Sequence, residues 1–243
     1  MRERFCRMND LSEHTLYEGL KDGIPIFLGY LSVSFGFGVL AVSKGLSTFA
    51  AVMISLTNVT SAGQLAGLEI VAAGGALIEL ICAECVINLR YALMSISLTQ
   101  KLDSTMSVPR RLICGFAVTD EIFAVAYSKT GSVGVRYFYS LMSLPLLGWV
   151  MGTLAGALAG SLMPASVRVA LGIMLYAMFI AIVLPPASKS RAVFTACAVS
   201  AGVSVLVAVL PALSFIDSGY RVVVSAVLGA AVSAALYPAE ETE

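Results

Sequence analysis

The sequence is poor in charge. Only 12% of its 243 residues are Asp, Glu, Lys or Arg, against about 25% in a soluble domain. With 58% hydrophobic residues and a mean hydropathy of +0.91, this scarcity excludes a soluble globular protein and identifies an integral membrane protein. Net charge is zero, so no basic surface for nucleic acid is implied. Histidine occurs once, as His14, which leaves no intramembrane imidazole to act as a base or metal ligand. HExxH, GxSxG and Walker motifs are all missing, so metalloprotease, serine-hydrolase and ATP-driven mechanisms have no residues to work with. The chain is read as no enzyme and as needing no cofactor. Five cysteines are present, four of them in apolar segments where the thiol behaves as a small hydrophobe. No disulfide framework follows.

What is present is a series of apolar segments. At about 20 residues per span, the length accommodates an all-α polytopic bundle of seven to eight membrane segments. Residues 1–22 read as a polar N-terminal segment, residues 23–237 as a single transmembrane transporter domain, and residues 238–243 as an acidic tail. The first apolar run has no small-residue cleavage site, so it is taken as a retained span. Leu16 to Gly23 reads as an interfacial helix leading into it. Further spans are expected at Gly75 to Leu98, Leu112 to Ser128, Tyr137 to Leu162, Val167 to Leu184 (ended by Pro185-Pro186), Ala192 to Leu210 and Tyr220 to Leu236. The two halves of the chain each open with a Gly/Ser-rich helix, which is compatible with an internal repeat.

Leu46 to Ala73 is unusual. Its centre, TNVTSAGQLAG, carries Thr57, Asn58, Thr60, Ser61 and Gln64 among glycines. Such a composition predicts a broken or re-entrant helix whose freed backbone groups bind a substrate. The alternative is an unbroken helix using Gly63 and Gly67 as a close contact. A re-entrant path would place the basic N-terminal residues and the cluster Lys101, Arg110 and Arg111 on one side, as the positive-inside rule prefers, with seven crossings. Gly152, Gly156 and Gly160 repeat at four-residue spacing and predict a helix-packing face.

The densest polar stretch is Glu79 to Tyr91, ELICAECVINLRY, inside an apolar run. Each charge near a bilayer centre costs about 2.5–3.5 kcal/mol or more, so this helix is expected to face protein, water or substrate. At about 100° per residue, Glu84, Asn88, Tyr91 and Ser95 share a stripe, whereas Glu79 and Arg90 lie about 16 Å apart along the axis. Arg90 therefore needs a carboxylate from elsewhere, with Asp120 and Glu121 as candidates. It is suited to capturing a substrate carboxylate or to a structural ion pair. Glu84 is a candidate proton-coupling site. Glu79 is one also, or else a hydrated carboxylate near the membrane surface. Cys82 and Cys85 form a CxxC, for which a redox or metal role competes with simple packing.

Several blocks resemble the AzlC-type branched-chain amino-acid permeases, the azaleucine-resistance family: EGLKDGIPIFLGYLSVSFGFGV, SAGQ (Ser61 to Gln64), NLRYALMSISL from Asn88, and FAVTDEIFAVAYS (Phe116 to Ser128). The Trp149 to Gly156 block and LGIMLYAMFIAIVL also match. The resemblance implies a small multispan transporter in the cytoplasmic membrane, similar to exporters of valine and related amino acids and working with a small hydrophobic AzlD-type membrane subunit. It implies functional roles for Gln64, Asn88, Arg90, Thr119, Asp120 and Glu121. Departures are Tyr91, where the family often has His, and Gly63, where it has Ser. Glu79, Cys82, Glu84 and Cys85 are outside the family pattern. The combined reading is proton-coupled export of branched-chain or similar amino acids, with Ser61, Gln64, Glu84, Asn88, Arg90, Tyr91, Thr119, Asp120 and Glu121 binding or coupling. Alternatives are transport of another small solute, or a non-transporting redox or scaffold protein built on Cys82 and Cys85.

Overall fold

The computed structural model describes residues 15–103, 106–213 and 215–238. Most of the polar N-terminal segment (1–14) and nearly all of the acidic tail (239–243) lie outside the described residues. The described residues form α-helices and no strand. In order they are α1 (Leu16–Ser43), α2 (Thr48–Thr57), α3 (Ser61–Ala72), α4 (Leu77–Thr99), α5 (Val108–Phe116), α6 (Asp120–Ser128), α7 (Val135–Leu162), α8 (Ala165–Lys189), α9 (Arg191–Val209) and α10 (Ser218–Leu236). Four of them (α1, α7, α9 and α10) combine the length and hydropathy needed to cross a membrane.

The chain divides into two compact units. The first comprises Met1–Ser61 and Asn88–Pro164, and the second Ala62–Ile87 and Ala165–Glu243. Helix α4 contributes its first half to the second unit and its second half to the first.

The first unit is organised by α1 packed against α7. Helix α1 starts at a capping box: the Thr15 hydroxyl accepts from the Glu18 N–H at 3.2 Å, and the Glu18 carboxylate accepts from the Thr15 N–H at 2.8 Å. From Leu16 to Ser43 the helix is unbroken, so the expected interfacial helix at Leu16 to Gly23 is the first turns of α1 itself. Along the contact, Gly148 faces the backbone of Phe27, Gly152 that of Leu31, Gly156 that of Phe35 and Gly160 that of Val39. Both numbers rise together by four, so the helices run parallel with one constant offset. A Cβ at Gly156 would overlap the Phe35 carbonyl oxygen, a backbone atom that cannot swing aside. On α1, Gly19, Gly23 and Gly38 return the relation against Tyr137, Leu141 and Thr153.

One end of this unit is tied by polar contacts. Asp22 near the start of α1 accepts from the Tyr137 hydroxyl at 2.7 Å and pairs with Lys129 at 2.7 Å. Past the end of α4, Lys101 donates its ammonium to the carbonyls of Tyr127 and Lys129. The Val133 N–H donates to the Lys101 carbonyl at 2.7 Å, and the Asp103 N–H to the Val133 carbonyl at 3.1 Å. The loops before α5 and after α6 therefore lie side by side, at the end where α1 and α7 begin. This corrects the expectation of one continuous crossing from Leu112 to Ser128. The segment is two nine-residue helices, whose outer ends share one side. Its own residues explain the break: Thr119-Asp120-Glu121 is a helix start, with Thr119 capping the Ile122 N–H.

The break in Leu46 to Ala73 falls at Asn58–Thr60. The Asn58 side chain accepts from the Thr60 N–H at 3.1 Å, a local bond that competes with helix. It lies earlier than expected, and Ser61 to Gln64 form the first turn of α3 instead of an unwound stretch.

In the second unit, α9 and α10 pack antiparallel. Gly229 meets Ser200 and the Ala196 carbonyl, and the Ser233 hydroxyl donates to the Ala192 carbonyl at 2.7 Å. Helix α8 runs through Pro185 and Pro186 to Lys189, past its expected end. Proline φ suits a helix, and the Ser188 hydroxyl takes the Pro185 carbonyl at 2.9 Å. Glu79 is fully buried, which overturns its reading as a hydrated surface carboxylate. Its Oε1 accepts from the Gly219 N–H in the first turn of α10, where the positive end of the helix dipole favours a carboxylate.

Gly156→Leu is expected to lower the detergent melting temperature, by the equivalent of about 1–3 kcal/mol of overpacking or more. Gly29→Ala, where a Cβ meets nothing within 4 Å, should be neutral or slightly stabilising. Equal melting of the two variants would show that α1 and α7 are not in backbone contact. In a cysteine-free background, Ser107→Cys and Ser132→Cys should be labelled by an impermeant maleimide from the same side of the membrane, and labelling from opposite sides would restore a crossing at α5–α6.

Candidate functional site

Where α1 and α7 hold their backbones together, two aromatic residues meet. Tyr30 on α1 and Trp149 on α7 pack edge to face, with ring centroids 5.1 Å apart and planes at 65°. Both are buried. Each reaches one of the helix breaks. The Trp149 indole N–H donates to the Asn58 carbonyl at 3.3 Å, a group freed where α2 stops. Near this break the Ser55 and Thr153 hydroxyls share a hydrogen bond of 2.6 Å. The Tyr30 hydroxyl lies 2.5 Å from the Thr119 hydroxyl and 2.7 Å from Glu121 Oε2. Tyr30 thus spans from the cap of α6 to the aromatic partner that holds the break after α2. Val59, Val118 and Ile122 join the apolar core around them.

Beside this cluster, Arg90 of α4 pairs with Asp120 at 2.9 Å. Its guanidinium also donates to the Tyr91 hydroxyl at 2.9 Å and lies 4.8 Å from the Tyr91 ring centroid. Of the two carboxylates considered for Arg90, Asp120 takes the guanidinium and Glu121 turns to Tyr30. The pair is half open, with side-chain exposures of 51% and 47%. Other side chains do not seal the pair, so the guanidinium is open to approach by a second carboxylate. The positive end of α6 stabilises Asp120.

The first unit therefore brings Arg90, Tyr91, Thr119, Asp120 and Glu121 together. Asn88 stands half-buried on the same stretch of α4, and Ser61 is half-buried at the start of α3. Gln64 and Glu84 belong to the second unit. There Gln64 is buried, and Gly67 leaves room beside Glu84, whose Oε1 would be 3.3 Å from a Cβ at that position. Cys82 is half-buried and Cys85 exposed, both as free thiols on α4. Among the described residues no group of three or more His, Cys, Asp or Glu is placed to hold a metal ion. The residues that sequence reasoning missed are Tyr30 and Trp149. A tyrosine in an apolar helix carries no signal of its own, whereas Thr-Asp-Glu after an apolar run was a readable helix start.

Residues 25–163 match the family described as AzlC protein. This chain belongs to the AzlC family. The matched region contains α1 from its Pro25 to the last residues of α7, and so the whole Tyr30–Trp149 cluster and the Arg90–Asp120 pair. Among similar AzlC-family membrane proteins, the inner membrane protein YgaZ of Escherichia coli (strain K12) is 30% identical over 115 residues, 47% of each chain. A membrane protein of Archaeoglobus fulgidus is 33% identical over 147 residues, 60% of this chain and 64% of the relative. One of Helicobacter pylori is 27% identical over 148 residues, 58% of this chain and 64% of the relative. The matches span between about half and two thirds of these relatives' lengths. No solved structure matches the AzlC-family chain.

Trp149→Phe leaves the half-buried Asn58 carbonyl without its indole donor and should cost about 1 kcal/mol of stability. Tyr30→Phe removes the hydroxyl shared by Thr119 and Glu121 and should cost a similar amount. Thermal denaturation of the purified variants checks both, and melting curves superposing on the parent would show that neither bond holds the breaks together.

Proposed function

We propose that this AzlC-family protein is a secondary transporter, not an enzyme, that exports branched-chain or similar amino acids across the cytoplasmic membrane. The observation carrying this reading is the half-open Arg90–Asp120 pair beside two interrupted helix pairs. Interrupted helices leave backbone donors and acceptors unused at mid-membrane, and in transporters these groups bind substrate and ions. In this reading Arg90 takes the substrate carboxylate in exchange for Asp120. The released Asp120, with Glu121, receives the ammonium or the coupling proton. Asn88, Tyr91, Thr119, Ser61, Gln64 and Glu84 contribute further contacts. Membership of the family supports amino acids as cargo and a small hydrophobic AzlD-type subunit as partner, and the carboxylates Glu84, Asp120 and Glu121 support proton coupling as the drive. The name of YgaZ as an inner membrane protein supports the location.

A topology follows from helix directions. Helix α4 is a single helix of 23 residues, long enough at about 1.5 Å per residue to span the bilayer core. Its C-terminus lies where α1 begins, so α4 runs opposite to α1. Helix α2 starts on the side where α1 ends, the side from which a re-entrant Leu46 to Ala73 would enter. Helices α5 and α6 re-enter from the side where α1 begins, so among the described residues of the first unit this stretch adds no crossing. Lys21, Lys101, Arg110 and Arg111 share one side, which the positive-inside rule makes cytoplasmic.

Proteoliposomes loaded with single amino acids should release valine, leucine or isoleucine faster when a proton gradient is imposed. Arg90→Ala should abolish this while leaving insertion and melting unchanged, and Arg90→Lys should retain part of it, since Lys lacks the bidentate fork. Full release by Arg90→Ala would remove Arg90 from the mechanism.

A further inference from the structure

The hydrogens around Tyr30 follow from a count of donors. Its hydroxyl stands between the Thr119 hydroxyl at 2.5 Å and Glu121 Oε2 at 2.7 Å, and a phenol has a single hydrogen to give. An ionised carboxylate only accepts, so that hydrogen points to Glu121. The Thr119 hydrogen then points to the Tyr30 oxygen, and Thr119 Oγ1 accepts from the Ile122 N–H at 3.4 Å. Each hydroxyl gives one hydrogen and accepts another, all in the direction of Glu121. The chain thus runs from the cap of α6, through a tyrosine of α1, to a carboxylate in the first turn of α6. Tyr30 and Thr119 are buried, whereas Glu121 is exposed, so the chain ends at a group that a proton can reach.

The two adjacent carboxylates of α6 differ in what holds them. Asp120 is paired with Arg90 at 2.9 Å, and a proton on it would cancel a full ion pair. Glu121 is held by a neutral hydroxyl, and a proton on it cancels only the charged part of one hydrogen bond. A charge-assisted bond is about twice as strong as a neutral one, so protonation weakens the tie between α6 and α1. A proton on Oε2 also reverses the Tyr30 and Thr119 hydrogens. We propose that Glu121 takes up the coupling proton, and that Tyr30 is a positioning residue that links its protonation to the turn of α6 carrying Asp120. When the tie to Tyr30 weakens, the turn that holds Asp120 against Arg90 loosens with it. The other charged or titratable groups facing this chain are Arg90 and Tyr91 of α4 and Asp120 itself. This role rests on the reading of the protein as a proton-coupled transporter and divides the work of that site: Asp120 yields to the substrate and Glu121 binds the proton.

Trp149 is the only tryptophan in the sequence and packs edge to face on Tyr30, so its fluorescence reports on this hydroxyl. The test is a titration of that fluorescence on the purified full chain between about pH 8 and about pH 4, a range that takes in carboxylates and stays below thiols and tyrosines. The parent should show a protonation step. Glu121→Gln, which keeps an acceptor for Tyr30 but cannot titrate, should lose it, and so should Tyr30→Phe. Asp120→Asn and Glu84→Gln should keep it. In proteoliposomes, Tyr30→Phe should lose the acceleration of valine release by an imposed proton gradient. A hydroxyl with a purely structural role would slow release with and without the gradient alike and leave their ratio unchanged, which would overturn the role of Tyr30. A parent without the step, or a step that survives Glu121→Gln or disappears in Asp120→Asn, would overturn the assignment of the proton to Glu121 and leave the transporter reading intact. A parent that titrates as expected but transports no amino acid would remove the transporter reading, and the coupling role with it, while the proton site stands.

Discussion

The backbone contact between α1 and α7 is the constraint on which the first unit depends. Within a membrane, water and lipid give helices little hydrophobic reason to associate, so the attraction must come from close packing. Small residues at every fourth position of α7 let the carbonyls of Phe27, Leu31 and Phe35 approach its backbone. Because the register is set by backbone atoms, the side chains between them have fixed partners. Tyr30 must meet Trp149, and neither can be displaced without separating the helices. The cap of α6 and the carbonyl at the end of α2 are held by that pair.

Both helix breaks would be costly in a bilayer if their freed groups found no partner. The structure meets part of this cost with side chains that α1 and α7 supply. Trp149 takes the Asn58 carbonyl, and Tyr30 joins the cap and the first-turn glutamate of α6. The arrangement leaves Arg90 and Asp120 half open beside the braced breaks. A fully enclosed ion pair would be hard to exchange for a ligand, because each released charge would be stranded. In the half-open pair a ligand can take the place of the charge that is released. The second unit handles its acid differently. Glu79 is enclosed, with Gly219 leaving room for it at the start of α10, and serves as an internal helix cap. Glu69 is left at a cavity wall beside Tyr176 and Arg221. Carboxylates of the same kind on neighbouring helices therefore do different work because their surroundings differ.

Composition and pattern alone determined the membrane class, the helical content, the glycine face of α7 and the need of Arg90 for a carboxylate from another segment, and offered a break within Thr57 to Gly67 as one of two readings. These are local or one-dimensional properties: hydropathy, small-residue spacing, and the cost of an isolated charge in lipid. The family resemblance was also carried by short blocks of sequence. What only the tertiary structure decided depended on segments far apart in the chain. The Lys101–Val133 pairing turned Leu112 to Ser128 from a crossing into a segment that returns to its own side. Helix direction chose Asp120 over Glu121 for Arg90, Tyr30 and Trp149 acquired their roles from the α1–α7 register, and Glu79 became buried because α10 begins against it. A hydropathy profile measures whether a segment prefers lipid, and that preference is the same for a helix that crosses and for one that turns back. Which of the two it does is settled by the partners waiting at its ends.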